Sequence, residues 1–231
     1  VTEHGEGRDA AGGFRETVTD TSISDWGTQS VAYRGYDVLD LVRESTFTEV
    51  AYLLLYGDLP EDLYLADFRA MLAESSDGES WSDESAWMSD LLDRLPLHVP
   101  LTEILRTAIS AVAHFDPQPA DRSLEADRSR AIRLLGRVPM LVSARLAMIR
   151  GEEPMVADPE WSFPAQLAAL LTGRVASPLF ERALEVLLIS VVDVGFSPAV
   201  QAARLAAAAG ADVHGAVLAA AAVESTAERA G

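Results

Sequence analysis

His4, His98, His114 and His214 are the imidazoles this chain offers for acid–base work or metal ligation. No two of them lie three or four residues apart, so no helix face carries a pair and the spacing supports no metal site. His4 falls in a polar lead-in, His98 in a proline-bounded loop, and His114 at a helix end where the macrodipole favours a cation. His214 follows Asp212 among small residues where a ligand could approach, the competing reading being a surface or capping histidine. Asp193 stands among Val191, Val192, Val194 and Phe196. A carboxylate in apolar company either finds a cation or rises in pKa and becomes a candidate base. A salt bridge to an arginine such as Arg204 is the favoured structural alternative. The catalytic candidates are therefore Asp193, Arg204 and His214.

Absent residue types narrow the chemistry. All 18 basic residues are arginine, and lysine and cysteine do not occur. That removes Schiff-base and pyridoxal chemistry, a lysine-containing phosphate loop, thiol nucleophiles, disulfides and thiolate zinc sites. Neither a GxSxG elbow nor a glycine-rich phosphate loop appears. Against 36 acids the arginines leave a formal charge of −18, and they are scattered from Arg8 to Arg229, so nucleic acid and anionic membrane surfaces are poor partners. The longest apolar stretch, Leu184 to Phe196, is broken by Glu185 and Asp193 and falls short of the roughly 20 residues a membrane helix needs. The polar N-terminus lacks a signal-peptide layout. A cytoplasmic protein is expected, with no cofactor.

The elements that must position these residues are almost all helical. Residues 1–16 read as a flexible lead-in. Between Thr17 and Tyr36, β-branched residues flank the polar stretch Ser24-Asp25-Trp26-Gly27, which predicts a short hairpin with its turn there. Ser45 or Thr46 caps a helix through Val50, Leu53 and Leu54 that stops at Gly57 and Pro60, and a second runs from about Glu61 to Ala73. Glu74 to Asp93 holds seven acids and no base, an acidic loop leading into an amphipathic helix. An aromatic and acidic docking surface there would need Trp81 and Trp87 exposed. Pro100 opens a helix with an apolar stripe from Leu101 to Phe115. A longer helix spans Glu125 to Arg150, with a kink expected at Gly136 and Pro139. Further helices follow at about Ser162–Leu171, Pro178–Val192, Pro198–Ala209 and Ala211–Arg229. The last two are crowded with small residues, which predicts packing on both sides, in the core or against a second chain.

Several runs resemble the citrate synthase family: Thr21-Ser-Ile-Ser-Asp25, Tyr33-Arg-Gly-Tyr36, and Phe47-Thr-Glu-Val-Ala-Tyr-Leu-Leu-Leu-Tyr-Gly-Asp-Leu-Pro60. Leu105-Arg-Thr-Ala-Ile-Ser110, Phe115-Asp-Pro117, Val138-Pro139, Arg150-Gly151-Glu152 and Ala202-Ala-Arg204 continue the match in order, to about residue 215. The resemblance implies an all-α fold, a citrate synthase-like large-domain helical bundle with a short N-terminal β-hairpin and the small domain largely absent. It places that helical domain over residues 17–231. It also implies dimers built by helix packing and condensation of an acyl-CoA with a 2-oxo acid, the acyl-CoA being a substrate of the complex.

The departures from the family pattern bear on function. Where the family carries a His-Ala-Asp-His-Glu-Phe-Asn type motif, this chain reads Val191-Val-Asp-Val-Gly-Phe-Ser197. The 2-oxo-acid histidine is replaced by Val194, which can neither donate to a keto oxygen nor carry charge, while Asp193 is kept. The family's next motif, Gly-Pro-Leu-His-Gly-Gly, is expected near residue 226, where the chain reads Thr226-Ala-Glu-Arg-Ala-Gly231 and the histidine falls near Arg229. Three readings stay open at this point. The chain is a non-catalytic scaffold or regulatory subunit pairing with a fuller homologue, or half of a split citrate or 2-methylcitrate synthase-type acyltransferase, or a stand-alone condensing enzyme of altered chemistry. The partner is accordingly a second citrate synthase-like chain, or a second copy in a homodimer.

Overall fold

The computed structural model describes residues 21–27, 30–76, 82–156, 158–193 and 195–227, so the expected lead-in lies outside the described residues. Three short strands, β1 (Ser24–Trp26), β2 (Val31–Tyr33) and β3 (Tyr36–Asp37), form an antiparallel sheet in sequence order. Ser24 faces Tyr33, and Tyr33 faces Tyr36 across the second pairing. The expected hairpin is thus a three-stranded meander, and the stretch read as its turn contains β1. The tight turn falls instead at Arg34-Gly35, where both residues have positive φ (51° and 90°), the two-residue geometry that matches strand twist.

Ten helices follow. They are α1 (Val38–Glu44), α2 (Phe47–Tyr56), α3 (Asp62–Ser76), α4 (Ser82–Arg94), α5 (Leu101–Val112), α6 (Leu124–Arg150), α7 (Phe163–Thr172), α8 (Pro178–Val191), α9 (Pro198–Ala208) and α10 (Val213–Ala227). A 3-10 turn, Ala113–Phe115, extends α5. Local chemistry sets their starts. Thr46 and Glu49 cap each other reciprocally at α2, which ends on left-handed Gly57. Ser123, Ser162, Ser177 and Ser197 each accept a backbone N–H from the first turn of α6, α7, α8 and α9, the last three helices having proline at one of their first two positions.

Two cores share α6 as a common rod. One gathers Tyr33, Leu41, Phe47, Leu53 and Phe68 around Ile132 of α6 and Ile189 of α8. The other gathers Met88, Leu92, Ile104, Ile109 and Val112 around Leu134 and Leu141 of α6. Helix α6 continues through Pro139 to Arg150. Gly136 serves packing: a Cβ there would stand 2.7 Å from Ser75 Cβ and 3.0 Å from the Ser75 carbonyl carbon, so its absence lets α3 lie against α6. Gly136→Ala is expected to lower stability by about 1–3 kcal/mol through overpacking, read from the urea midpoint at unchanged slope.

The arginines close helix ends. Arg128 donates to Leu55 O at the end of α2 (3.0 Å) and lies 4.5 Å over the Tyr56 ring. Arg145, fully buried, donates to Leu92 O (3.0 Å), Leu95 O (3.2 Å) and Pro96 O, closing α4. Arg150 reaches Leu171 O and Thr172 O at the end of α7 (2.8 and 3.1 Å), and Arg182 reaches Val42 O in α1. Orphan carbonyls at helix C-termini need donors, and a planar guanidinium reaches two or three of them at once where an ammonium is a single point. The C-terminal helices α9 and α10 pack on each other, and α10 also packs on α5 and α6. The outer face of α9 is open, with Leu205 74% exposed.

Candidate functional site

Strand β2 delivers the first side chain of the motif region. Tyr33 is buried, and its hydroxyl donates to the carbonyls of Ser190 and Asp193 (3.2 Å each), fastening the end of α8 to the sheet. Burial raises its pKa, the hydrogen bond to Asp193 opposes that, and the Asp193 charge adds to it, so the phenol stays a neutral donor. The Asp193 carboxylate turns back on its own backbone, accepting the Gly195 N–H at 2.7 Å. Gly195 takes φ +72°, and a Cβ there would meet the Trp26 indole Nε1 at 3.2 Å. Trp26 of β1 therefore lids the turn closely. Ser197 then caps α9.

Arg204 extends from α9 with its guanidinium 5.0 Å from the Phe196 ring centroid. The expected Asp193–Arg204 salt bridge is not formed, and among the described residues Asp193 makes no ion pair. The two-residue loop to Gly195 N–H is shorter than any route to an exposed arginine in the second turn of α9. Val194 lies outside the described residues.

His214 is neither on the surface nor a cap. It is 3% exposed, the most buried side chain described in α10, and the capping role falls to Asp212, whose carboxylate accepts the Gly215 N–H at 2.8 Å. Among the described residues its Nδ1 has no hydrogen-bond partner. Burial drives its pKa below 6.5; Asp212 and Asp116 pull it up, and Arg133 and Arg130 push it down again. A folded state that binds the proton less readily than the unfolded chain loses stability as pH falls below 6.5 toward the lowered folded value. His214→Gln is therefore expected to flatten the decline in urea midpoint between neutral and mildly acidic pH, where the wild-type slope has a ceiling of about 1.4 kcal/mol per pH unit for one proton.

Beside His214 lies an ion cluster whose role the sequence did not disclose. Asp116, in the turn after α5, accepts from Arg130 Nε at 2.5 Å and Arg133 at 2.9 Å. Arg130 also reaches Asp127 (2.8 Å) and Gln118 O (2.6 Å). Burial works against the charged Asp116, but the Arg130 hydrogen bond, the Gln118 amide and the two guanidinium charges outweigh it and hold the carboxyl below its ordinary value. The signal was the Phe115-Asp-Pro117 run followed by arginines on the first turns of α6. The Asp193 turn and His214 thus occupy different settings, and no hydrogen bond or ion pair joins Asp193, Arg204 and His214. Among the described residues no group of three or more His, Asp or Glu side chains is placed to hold a metal, and no helix is long and apolar enough to cross a membrane.

Comparison with known proteins agrees with this architecture. The family model "Citrate synthase, C-terminal domain" matches residues 13–226. The chain is 32% identical over 202 residues to the citrate/2-methylcitrate synthase of Bacillus subtilis, covering 87% of this chain and 53% of that protein. It is 31% identical over 190 residues to the 2-methylcitrate synthase of Mycobacterium tuberculosis, covering 82% and 46%. The solved citrate synthase of Pyrobaculum aerophilum superposes with a TM-score of 0.78 at 25% identity, over 90% of this chain and 53% of that one. The chain spans about half the length of the relatives it matches. The chain belongs to the citrate synthase family.

Proposed function

We propose that this chain is a non-catalytic citrate synthase-like subunit that pairs through α8 and α9 with a fuller homologue, in a complex condensing an acyl-CoA with a 2-oxo acid. The observation that carries the reading is an apolar ridge on α8. Leu179, Ala183, Leu187 and Val191 recur every fourth residue, all exposed, Leu179 at 82%, and Leu205 extends from α9. Side chains at i and i+4 line one face of a helix, and exposed apolar faces of this kind mark protein contacts.

The non-catalytic part rests on the side chains of the motif region. Enolising a thioester needs a positioned base together with a group that stabilises the enol oxygen. Here Asp193 is engaged with the Gly195 amide, Arg204 is exposed over Phe196, and His214 is sealed in the α5–α6–α10 junction.

The test is to co-express the chain with a full-length homologue from its own host and assay CoA release from acyl-CoA and a 2-oxo acid. The reading expects co-purification, an inert isolated chain, and activity in the complex that survives Asp193→Ala in this chain. Turnover by the isolated chain, abolished by Asp193→Ala, contradicts it. Activity gained only with a partner that lacks these N-terminal helices identifies a split enzyme instead.

A further inference from the structure

The hairpin of α9 and α10 is attached to the body of the molecule through one face. Helix α9 packs mainly on α10, and α10 carries the pair onto α5 and α6, with Val213 and Leu218 set against the second core. His214 is buried in that face, and its Nδ1, sealed from solvent, has no hydrogen-bond partner among the described residues. The charged groups around it leave no acceptor for a second N–H. Asp116, in the turn after α5, spends one oxygen on Arg130 (2.5 Å) and the other on Arg133 (2.9 Å) and the Gln118 N–H (3.1 Å). Asp212 takes the Gly215 N–H at 2.8 Å. Glu103 and Arg106 of α5 pair with each other, and His114 beyond them is exposed. The charge on α9, Arg204, lies over Phe196, and Glu224 of α10 is exposed at the far end. The groups that α6 brings toward His214, Arg130 and Arg133, are both cations.

A neutral imidazole tolerates this setting, because one of its ring nitrogens carries no hydrogen. Protonation gives the sealed Nδ1 an N–H without an acceptor and adds a third cation beside Arg130 and Arg133. Neither core is built on the hairpin: the buried members of both come from β2, α1 to α6 and α8, and α10 adds only the partly buried Val213 and Leu218 at the edge of one. The Tyr33 hydroxyl holds the Ser190 and Asp193 carbonyls, which fixes the end of α8 and leaves any hinge after Asp193. We propose that the α9–α10 hairpin is an acid-released flap, docked on α5 and α6 while His214 is neutral and swung out, with both cores still folded, when His214 is protonated. The flap is a property of the single chain and stands or falls independently of subunit pairing.

The test is native-state hydrogen exchange on the whole chain at about pH 7.5 and about pH 5.5, in increasing sub-denaturing urea, with rates corrected for the intrinsic pH dependence of amide exchange. A group that regains its ordinary 6.5 on opening raises the opening constant across that interval, with a ceiling of roughly tenfold for one proton. The α10 amides are expected to lose about three- to tenfold in protection at the lower pH. They should also open with a smaller urea slope than the amides of α2 in the first core, because the flap exposes less surface than global unfolding. In His214→Gln and in His214→Phe the pH response of α10 should disappear. The Leu187→Asp variant should respond as the wild type does, which separates flap release from dissociation of subunits. The proposal is overturned if α10 and α2 open with one urea slope at the lower pH, if α10 protection is the same at both pH values, or if either His214 variant keeps the response.

Discussion

Asp116→Ala is expected to destabilise the fold by about 3–5 kcal/mol, the range for removing one partner of a buried ion pair. Arg130 has no exposed surface, and in the variant its charge keeps only Asp127, which is partly solvated, and the Gln118 carbonyl. Arg133 loses its bond to the same carboxylate. Losing this much is a large fraction of a typical domain's stability. Asp116→Asn should fall between, because an amide oxygen still accepts the Gln118 N–H, found at 3.1 Å, but offers no charge. The effect has a defined pH window. Because the folded carboxyl is held below its ordinary 3.8, its contribution is complete above that pH and is lost as pH falls through the lowered folded value. Urea unfolding near neutrality should show the full gap, and the curves of wild type and Asp116→Ala should converge in strong acid. A gap below about 1 kcal/mol at neutral pH would mean the cluster contributes little beyond geometry.

Leu187→Asp is expected to weaken subunit association by on the order of a hundredfold or more, because an unpaired carboxylate carried into an apolar contact costs several kcal/mol and each 1.4 kcal/mol is tenfold in affinity. Leu187 lies mid-ridge on α8 and is already half-exposed in the single chain, so the variant's own fold should be intact. Leu63→Asp supplies the control: Leu63 is at least as exposed but sits on α3, off the ridge. Dissociation constants from sedimentation equilibrium decide between them. Equal weakening by both variants would point to nonspecific contact and sink the assignment of α8.

What was legible in the sequence was whatever local chemistry determines. A cap at Ser45 or Thr46, helix starts at Pro178 and Pro198, and a stop at Gly57 are boundaries read from the sequence that the structure keeps, with Thr46 as the cap. The hairpin turn was misplaced because polarity pointed to Ser24–Gly27 while register depends on the positive φ available at Arg34-Gly35. That Gly136 makes room for α3 was not readable, because the Ser75 backbone that approaches it lies far earlier in the chain and is invisible to periodicity. The same limit applies to the candidate site. Neighbours in sequence identified Asp193, Arg204 and His214 as unusual, but the hydrogen bond from Gly195, the ring under Arg204 and the ions around His214 are set by packing. Composition likewise does not show what the arginines do, because the carbonyls they close at the ends of α1, α2, α4 and α7 are distant in sequence.

The most direct test of the central claim is the mass of the assembly, measured by sedimentation equilibrium on the chain purified from its own host and again after co-expression with a full-length homologue. The account predicts a dimer or larger species that contains the homologue and is lost in Leu187→Asp. A monodisperse monomer under both conditions would contradict it.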